Sequence, residues 1–149
     1  MTVDVTTQTE IERPRAEVAT YVGDPDNATE WYENITSVRW ETSPPAKVGS
    51  RIAFTARFLG RELAYTYEVR DIVAEERFVM STEQGPFPME TTYAWEDIPS
   101  GGTRMTLRNR GTPTGFSKIA TPMLAAAMRR ANRKDLARLK AVLETGRVN

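Results

Sequence analysis

Two neighbouring segments of the chain alternate apolar and polar residues, and this alternation constrains the fold more than any other feature. In residues 51–58 and again in residues 61–69, apolar side chains occupy every second position. Leu59-Gly60 between the segments predicts a tight two-residue turn. The resulting hairpin would pair Phe58 with Arg61, Ala56 with Leu63, Phe54 with Tyr65, and Ile52 with Tyr67. Because directly paired residues share one side of a sheet, the two apolar stripes coincide, which supports the hairpin.

The same period of two predicts about seven strands. Besides the hairpin, strands are expected at residues 3–11, 37–41, 77–82, 89–95 and 103–109, with two short helices near 16–22 and 27–34. Asp71 would face inward in the simplest register of its strand, so we expect a β-bulge near it. Residues 111–121 are expected to form a connector that becomes helical after Gly115.

The last segment predicts a long amphipathic helix from Pro122 to Glu144. Its apolar stripe comprises Leu124, Met128, Ala131, Leu136, Leu139 and Leu143. Twenty-three residues at about 1.5 Å each span about 34 Å, enough to cross a small sheet. The apolar faces of the strands need a cover, and this helix is the only large one available. We therefore expect an α+β fold, with a curved antiparallel sheet wrapped around the C-terminal helix in one domain over residues 1–149.

The absence of two residue types excludes much chemistry. The chain contains no Cys and no His. Structural zinc, thiolate iron–sulfur clusters and haem held by His or Cys are therefore not expected, nor is an imidazole general base. We expect no metal and no cofactor, and no catalytic residue can be assigned from the sequence.

Charge is balanced overall but divided along the chain. From Arg104 onward there are eleven Lys or Arg and two acidic residues. The last helix would carry a basic outer surface formed by Arg129, Arg130, Arg133, Lys134, Arg138 and Lys140. A solvated surface and transient contact with an anionic membrane or protein are both open interpretations. No aromatic residue lies among these bases, so nucleic acid is not an expected partner. No signal peptide or membrane-spanning segment is visible, which predicts a cytoplasmic protein.

Several short motifs occur in an order that resembles a known superfamily. They are residues 11–18 (Ile-Glu-Arg-Pro-Arg-Ala-Glu-Val), Asp24-Pro25 with Trp31, Val48-Gly49-Ser50, the strand pair around Gly60, Tyr93-Ala94-Trp95-Glu96, Gly101-Gly102-Thr103-Arg104, and residues 135–140. Together they resemble the helix-grip superfamily (SRPBCC), which includes the START, birch-pollen-allergen and polyketide cyclase/dehydrase groups. This resemblance covers nearly the whole chain. It implies the helix-grip fold but not a particular function, because the superfamily includes lipid carriers, quinone-binding proteins and cyclases.

The resemblance also implies a cavity between the concave face of the sheet and the long helix. From the residues alone, inward stripes of this kind are typical of solid core. With a cavity, the ligand would be a small hydrophobic molecule such as a lipid, quinone or polyketide-like compound. The ligand-binding candidates are Phe54, Tyr65, Tyr67, Met80, Thr91, Tyr93, Met105, Asn109, Trp31 and Met128.

The alternative to a carrier or sensor is a polyketide cyclase or dehydratase acting in the same cavity. Such an enzyme needs an acid or base, and Asp71 is the one acid that the strand pattern could turn inward. A carboxyl group in an apolar site has a raised pKa and can transfer a proton near neutral pH. A Tyr hydroxyl could donate a hydrogen bond to a substrate carbonyl.

Overall fold

The chain forms one seven-stranded antiparallel sheet with two short helices after its first strand and a long helix after its last. The computed structural model describes residues 2–83, 88–112 and 120–146. The elements are β1 (Val3–Ile11), α1 (Arg15–Val22), a 3₁₀ turn (Pro25–Asn27), α2 (Ala28–Trp31), β2 (Ile35–Trp40), β3 (Arg51–Phe58), β4 (Arg61–Val73), β5 (Arg77–Thr82), β6 (Met89–Asp97), β7 (Thr103–Gly111) and α3 (Thr121–Thr145). The predicted order of elements is confirmed. The helical connector expected after Gly115 lies outside the described residues.

The strands lie in the order β1-β7-β6-β5-β4-β3-β2, so every neighbour except β1–β7 is also a neighbour in sequence. The β3–β4 register is the one predicted from the apolar stripes, with Phe54 opposite Tyr65 and Ile52 opposite Tyr67. Both turn residues have positive φ, 52° at Leu59 and 76° at Gly60. This is the backbone of a type I′ turn, whose twist matches that of the two strands.

The β-bulge predicted near Asp71 is confirmed. The β4–β5 register shifts between Val69, which lies opposite Met80, and Asp71, which lies opposite Val79. A bulge adds one residue to one strand and so changes which side the following side chains face. Val69 is fully buried, whereas the side chain of Asp71 is 45% exposed.

The inner face of the sheet and one side of α3 form the core. Every second residue of the central strands is buried, as the pleat of a β-strand requires. From α3, Leu124, Met128, Leu136 and Leu139 are buried against them. The helix α1 buries one side through Val18, Ala19 and Val22. The second short helix ends at Trp31 rather than Asn34, because Tyr32 is already extended and leads the chain toward β2.

The C-terminal end of α3 is held by the segment between β1 and α1. Arg13 donates from Nε to the Leu143 carbonyl oxygen at 2.8 Å and from Nη2 to that of Glu144 at 3.1 Å. A guanidinium placed at the last carbonyl groups of a helix complements the negative end of the helix dipole. The backbone N–H of Glu12 donates to Glu144 Oε2 at 2.8 Å. This end of α3 is therefore fixed to the edge of the sheet that carries β1.

Candidate functional site

A cavity of about 140 Å³ lies between the inner face of the sheet and α3. Its walls are contributed by β2 to β7, by the segment that follows α2, and by the middle of α3. Phe58 and Leu63 at the end of the β3–β4 hairpin belong to the lining from the sheet, and Met128 and Ala131 belong to the lining from α3. Most of the lining is aliphatic or aromatic, as in pockets that bind small apolar molecules.

Seven of the ten predicted ligand-binding residues line this cavity. From β3, β4 and β5 come Phe54, Tyr65, Tyr67 and Met80; from β6, β7 and α3 come Thr91, Asn109 and Met128. They converge because alternate residues of adjacent strands share one face of the sheet. Their role in binding stays a prediction.

The other three predicted residues, Trp31, Tyr93 and Met105, lie behind the cavity wall. Met105 has no exposed surface and belongs to the core. Trp31 is 1% exposed and packs against Tyr32, with ring centroids 4.0 Å apart, and against Tyr93. Trp31 and Tyr93 contact Tyr32, which lines the cavity. Tyr32, which the sequence interpretation left out of the ligand-binding set, lies at the cavity surface instead.

Polar side chains at the site form two hydrogen-bonded pairs. Thr91 donates from Oγ1 to Asn109 Oδ1 at 2.7 Å. The hydroxyl oxygens of Tyr32 and Tyr93 lie 2.7 Å apart and share a hydrogen bond. Burial raises the pKa of Tyr32, Tyr67 and Tyr93 well above the ordinary value, so all three stay protonated. Pairing of this kind is the usual fate of buried polar groups.

The acid of the cavity is Asp135 on α3, which the sequence interpretation did not select. Asp135 is 3% exposed, and its Oδ1 accepts a hydrogen bond from the backbone N–H of Glu33 at 3.0 Å. Burial raises the pKa of Asp135 to about 7, although the Glu33 N–H acts in the opposite direction. The negative charge of Glu33 raises this pKa further, while Arg138 lowers it.

Asp71, the acid proposed from the strand pattern, does not reach the cavity, and that expectation is wrong. Arg77 donates from Nε to Asp71 Oδ2 at 2.9 Å, and its Nη2 lies 2.8 Å from the same oxygen. The bulge before Asp71 brings its side chain to the surface, where this ion pair is solvated.

Asn132 is the second polar residue that α3 contributes to the cavity wall. It is 6% exposed, and its Nδ2 has no hydrogen-bond partner among the described residues. A buried amide nitrogen without a partner carries an uncompensated desolvation cost. The signal in the sequence was its spacing, since Met128, Asn132, Asp135 and Leu139 follow one another at three- and four-residue intervals on one side of a helix.

The predicted basic surface of α3 is present in part. Arg130, Arg133 and Lys134 are exposed. Arg138 donates from Nε to the Glu30 carbonyl oxygen at 2.8 Å, and Lys140 donates from Nζ to that of Glu10 at 2.6 Å. These two side chains therefore attach α3 to neighbouring segments. In the part of the chain that the structure describes, no helix is both long and apolar enough to cross a membrane.

This fold places the protein in the helix-grip class, in which an antiparallel sheet packs around a long C-terminal helix. Residues 2–144 match the family described as polyketide cyclase / dehydrase and lipid transport, and the chain belongs to that family. No curated protein sequence matches the chain significantly.

Solved structures of low sequence identity share the same fold. A START superfamily protein from Mycobacterium smegmatis is 12% identical, with coverage of 97% of this chain and 99% of its own, and a TM-score of 0.84. The protein TTHA0849 from Thermus thermophilus is 18% identical, with coverage of 92% and 94% and a TM-score of 0.78. Ara h 8.0201 is 14% identical, with coverage of 96% and 99% and a TM-score of 0.67. At these identities the similarity concerns the fold alone.

Proposed function

We propose that this protein binds a small hydrophobic molecule, as a carrier or sensor, in the cavity between the sheet and α3. The observation that carries this proposal is the cavity itself, which is lined mainly by apolar side chains such as Phe54, Leu63 and Met128. An apolar cavity of about 150 Å³ is large enough for benzene. A volume of about 140 Å³ therefore suits one ring of a ligand. The family description, which includes lipid transport, supports the same function.

A matched pair of substitutions on α3 tests this proposal. Ala131 lines the cavity, whereas Ala137 is exposed on the same helix. Leu in place of Ala at either position keeps good helix propensity, but only Ala131→Leu fills the cavity. We expect 3-ethylphenol to bind the wild type and Ala137→Leu with equal affinity and to bind Ala131→Leu at least tenfold more weakly.

Native mass spectrometry of gently purified protein complements the titration. A lipid, quinone or polyketide-like adduct on the wild type and on Ala137→Leu, but not on Ala131→Leu, would identify the class of ligand. Equal binding of 3-ethylphenol to all three proteins, or binding to none of them, contradicts the proposal.

A cyclase or dehydratase is the second candidate, favoured by the position of Asp135. This carboxyl group lines the cavity together with Tyr32, and its pKa of about 7 suits proton transfer at neutral pH. In such a reaction, Asp135 would remove a proton from the carbon beside a substrate carbonyl. Tyr32 would donate a hydrogen bond to the carbonyl oxygen as negative charge develops there. Asp135→Asn separates the candidates, because an enzyme loses turnover with binding nearly intact, whereas a carrier has no turnover to lose.

The exposed bases of α3 support transient docking of the carrier on an anionic membrane. Near such a surface each Lys or Arg contributes about 1 kcal/mol. We expect the protein to float with vesicles that contain phosphatidylserine and not with pure phosphatidylcholine vesicles. The triple substitution of Arg130, Arg133 and Lys134 by Gln should abolish flotation, and wild-type protein that stays in the soluble fraction would contradict docking.

A further inference from the structure

The unpartnered amide of Asn132 indicates what the polar part of the ligand contains. Three buried side-chain N–H groups of the described chain lack a partner: Trp31 Nε1, Trp95 Nε1 and Asn132 Nδ2. Of these three residues, only Asn132 lines the cavity. Among the other polar residues of the cavity wall, Thr91 is hydrogen-bonded to Asn109 and Tyr32 to Tyr93. Asn132 Nδ2 is therefore the buried, unpartnered N–H donor of the described chain that a ligand in the cavity can satisfy.

Asp135 lies beside Asn132 on the same side of α3. Residues three apart on a helix have Cβ atoms about 5–6 Å apart, so one small ligand can reach both side chains. The Glu33 N–H engages Oδ1 of Asp135, and a carboxylate has further lone pairs that can accept from a hydroxyl. The pair thus offers one donor and one acceptor at the cavity wall.

The charges around the cavity disfavour an anionic ligand. None of the described residues that line the cavity is basic. Two cations outside the cavity lower the pKa of residues in its wall: Arg138 acts on Asp135, and Arg61 acts on Tyr65. The Nε of Arg138 donates to the Glu30 carbonyl oxygen. A carboxylate or phosphate would meet Asp135 without a counter-ion in a poorly solvated space, where like charges repel strongly.

We propose that the cavity selects a neutral molecule with a carbonyl oxygen that accepts from Asn132 Nδ2 and a hydroxyl that donates to Asp135, and that it rejects carboxylates of the same shape. This inference rests on the proposed ligand-binding function and narrows its ligand class to neutral hydroxy-carbonyl compounds. It makes Asn132 and Asp135 the specificity-determining residues of the cavity.

Three single-ring probes of similar shape test the inference by calorimetric titration at pH 8.5, where the Asp135 carboxyl, with a pKa of about 7, is ionised. They are 3-hydroxyacetophenone, which has both polar groups, 3-ethylphenol, which lacks the carbonyl oxygen, and 3-hydroxybenzoate, which carries a negative charge. We expect the wild type to bind the ketone about three- to tenfold more tightly than 3-ethylphenol, as one neutral hydrogen bond provides. We expect 3-hydroxybenzoate to bind at least tenfold more weakly than the ketone.

Variants assign the selectivity to the two residues. Asn132→Leu should remove the preference for the ketone and leave 3-ethylphenol binding within about twofold. Asp135→Asn should reduce the ratio of the ketone's affinity to that of 3-hydroxybenzoate at least fivefold. Ala137→Leu, on the exposed side of the same helix, is the control and should change neither the ratio of ketone to 3-ethylphenol affinity nor that of ketone to 3-hydroxybenzoate affinity.

The outcomes separate this inference from the proposed function. If 3-ethylphenol binds but the wild type shows no preference for the ketone, or binds 3-hydroxybenzoate as tightly, the inference is wrong and the apolar cavity remains a binding site. This comparison needs no substitution, so it stands even where a variant fails to fold. If none of the three probes binds, both the proposed function and the inference are wrong.

Discussion

The hydroxyl oxygens of Tyr32, at the cavity surface, and Tyr93, 61 residues further along the chain, lie 2.7 Å from each other. This hydrogen bond joins the segment after α2 to the centre of β6. We expect Tyr93→Phe to lower the free energy of unfolding by about 1–2 kcal/mol, because it leaves a buried hydroxyl of Tyr32 without its partner. The Phe ring keeps the packing against Phe78 and Trp31. Urea denaturation measures the change.

A double-mutant cycle isolates the hydrogen bond itself. Tyr32→Phe combined with Tyr93→Phe removes both hydroxyls, so the double variant should lose less stability than the sum of the two single variants. Strictly additive losses would show that the two hydroxyls do not stabilise each other.

Asp135 should make the stability of the protein fall as pH rises through the acid range. Its pKa is about 7 in the folded protein against 3.8 ordinarily, so between these values the folded protein holds a proton that the unfolded chain has lost. The free energy of unfolding therefore decreases up to about pH 7 and is unaffected by this group above it. Relative to Asp135→Asn, the wild type should lose about 2–3 kcal/mol between pH 5 and pH 8.

The comparison with Asp135→Asn removes the contributions of other groups. Asp4 and Glu144, whose pKa values are lowered by Arg108 and Lys140, act in the opposite direction in both proteins. Asp71→Asn is the matched control at the surface and should change the free energy of unfolding by less than about 1 kcal/mol at either pH. Parallel pH profiles for the wild type and Asp135→Asn would contradict the buried position of this acid.

The β3–β4 turn can be stabilised by one substitution. Leu59 adopts a φ of 52°, a left-handed conformation that is unfavourable for Leu and favourable for Asn before Gly. Leu59 is 48% exposed, so little apolar burial is lost on replacement. We expect Leu59→Asn to raise the free energy of unfolding by about 1 kcal/mol. Thermal unfolding followed by circular dichroism measures this. Gly60→Ala should have the opposite effect, since φ is 76° there.

Tyr65 and Tyr67 offer the same substitution in two environments on one strand. The polar side chain of Thr91 acts on Tyr67 and opposes the rise of its pKa by burial, whereas among the described residues no such neighbour acts on Tyr65 apart from Arg61. Tyr67→Phe should therefore cost about 1 kcal/mol of unfolding free energy, whereas Tyr65→Phe should cost less than about 0.5 kcal/mol. Equal losses in urea denaturation would indicate that the surroundings of the Tyr67 hydroxyl do not stabilise the sheet.

The strands could be predicted because period-two patterning and register depend only on local sequence. The β3–β4 pairing followed from two apolar stripes and a turn, and the structure has the same pairs. The bulge near Asp71 was predicted because an acid cannot easily face a core. Its consequence, the surface ion pair with Arg77, could not be derived, because it depends on how the register resumes beyond the bulge.

The polar residues of the site were harder to predict from the sequence, because they interrupt an apolar stripe. Asn132 and Asp135 are buried on the side of α3 where the pattern shows Met128, Leu136 and Leu139. Polar residues of a helix usually face outward, but Asp135 is buried. Its Oδ1 accepts a hydrogen bond from the backbone N–H of Glu33, 102 residues away in sequence. That contact belongs to the tertiary fold and leaves no mark in the local sequence.

The pairing of β1 with β7 determines when the sheet can be completed. In the sheet, β1 is the neighbour of β7, and Val5, for example, lies opposite Asn109. The first strand to be synthesised therefore pairs with the last. During synthesis, β1 must wait with unpaired backbone groups until residues 103–111 are available. The β3–β4 hairpin needs no such delay. A chain with this order of contacts closes its largest loop late, which favours slow folding and makes the waiting strand a point of vulnerability to aggregation.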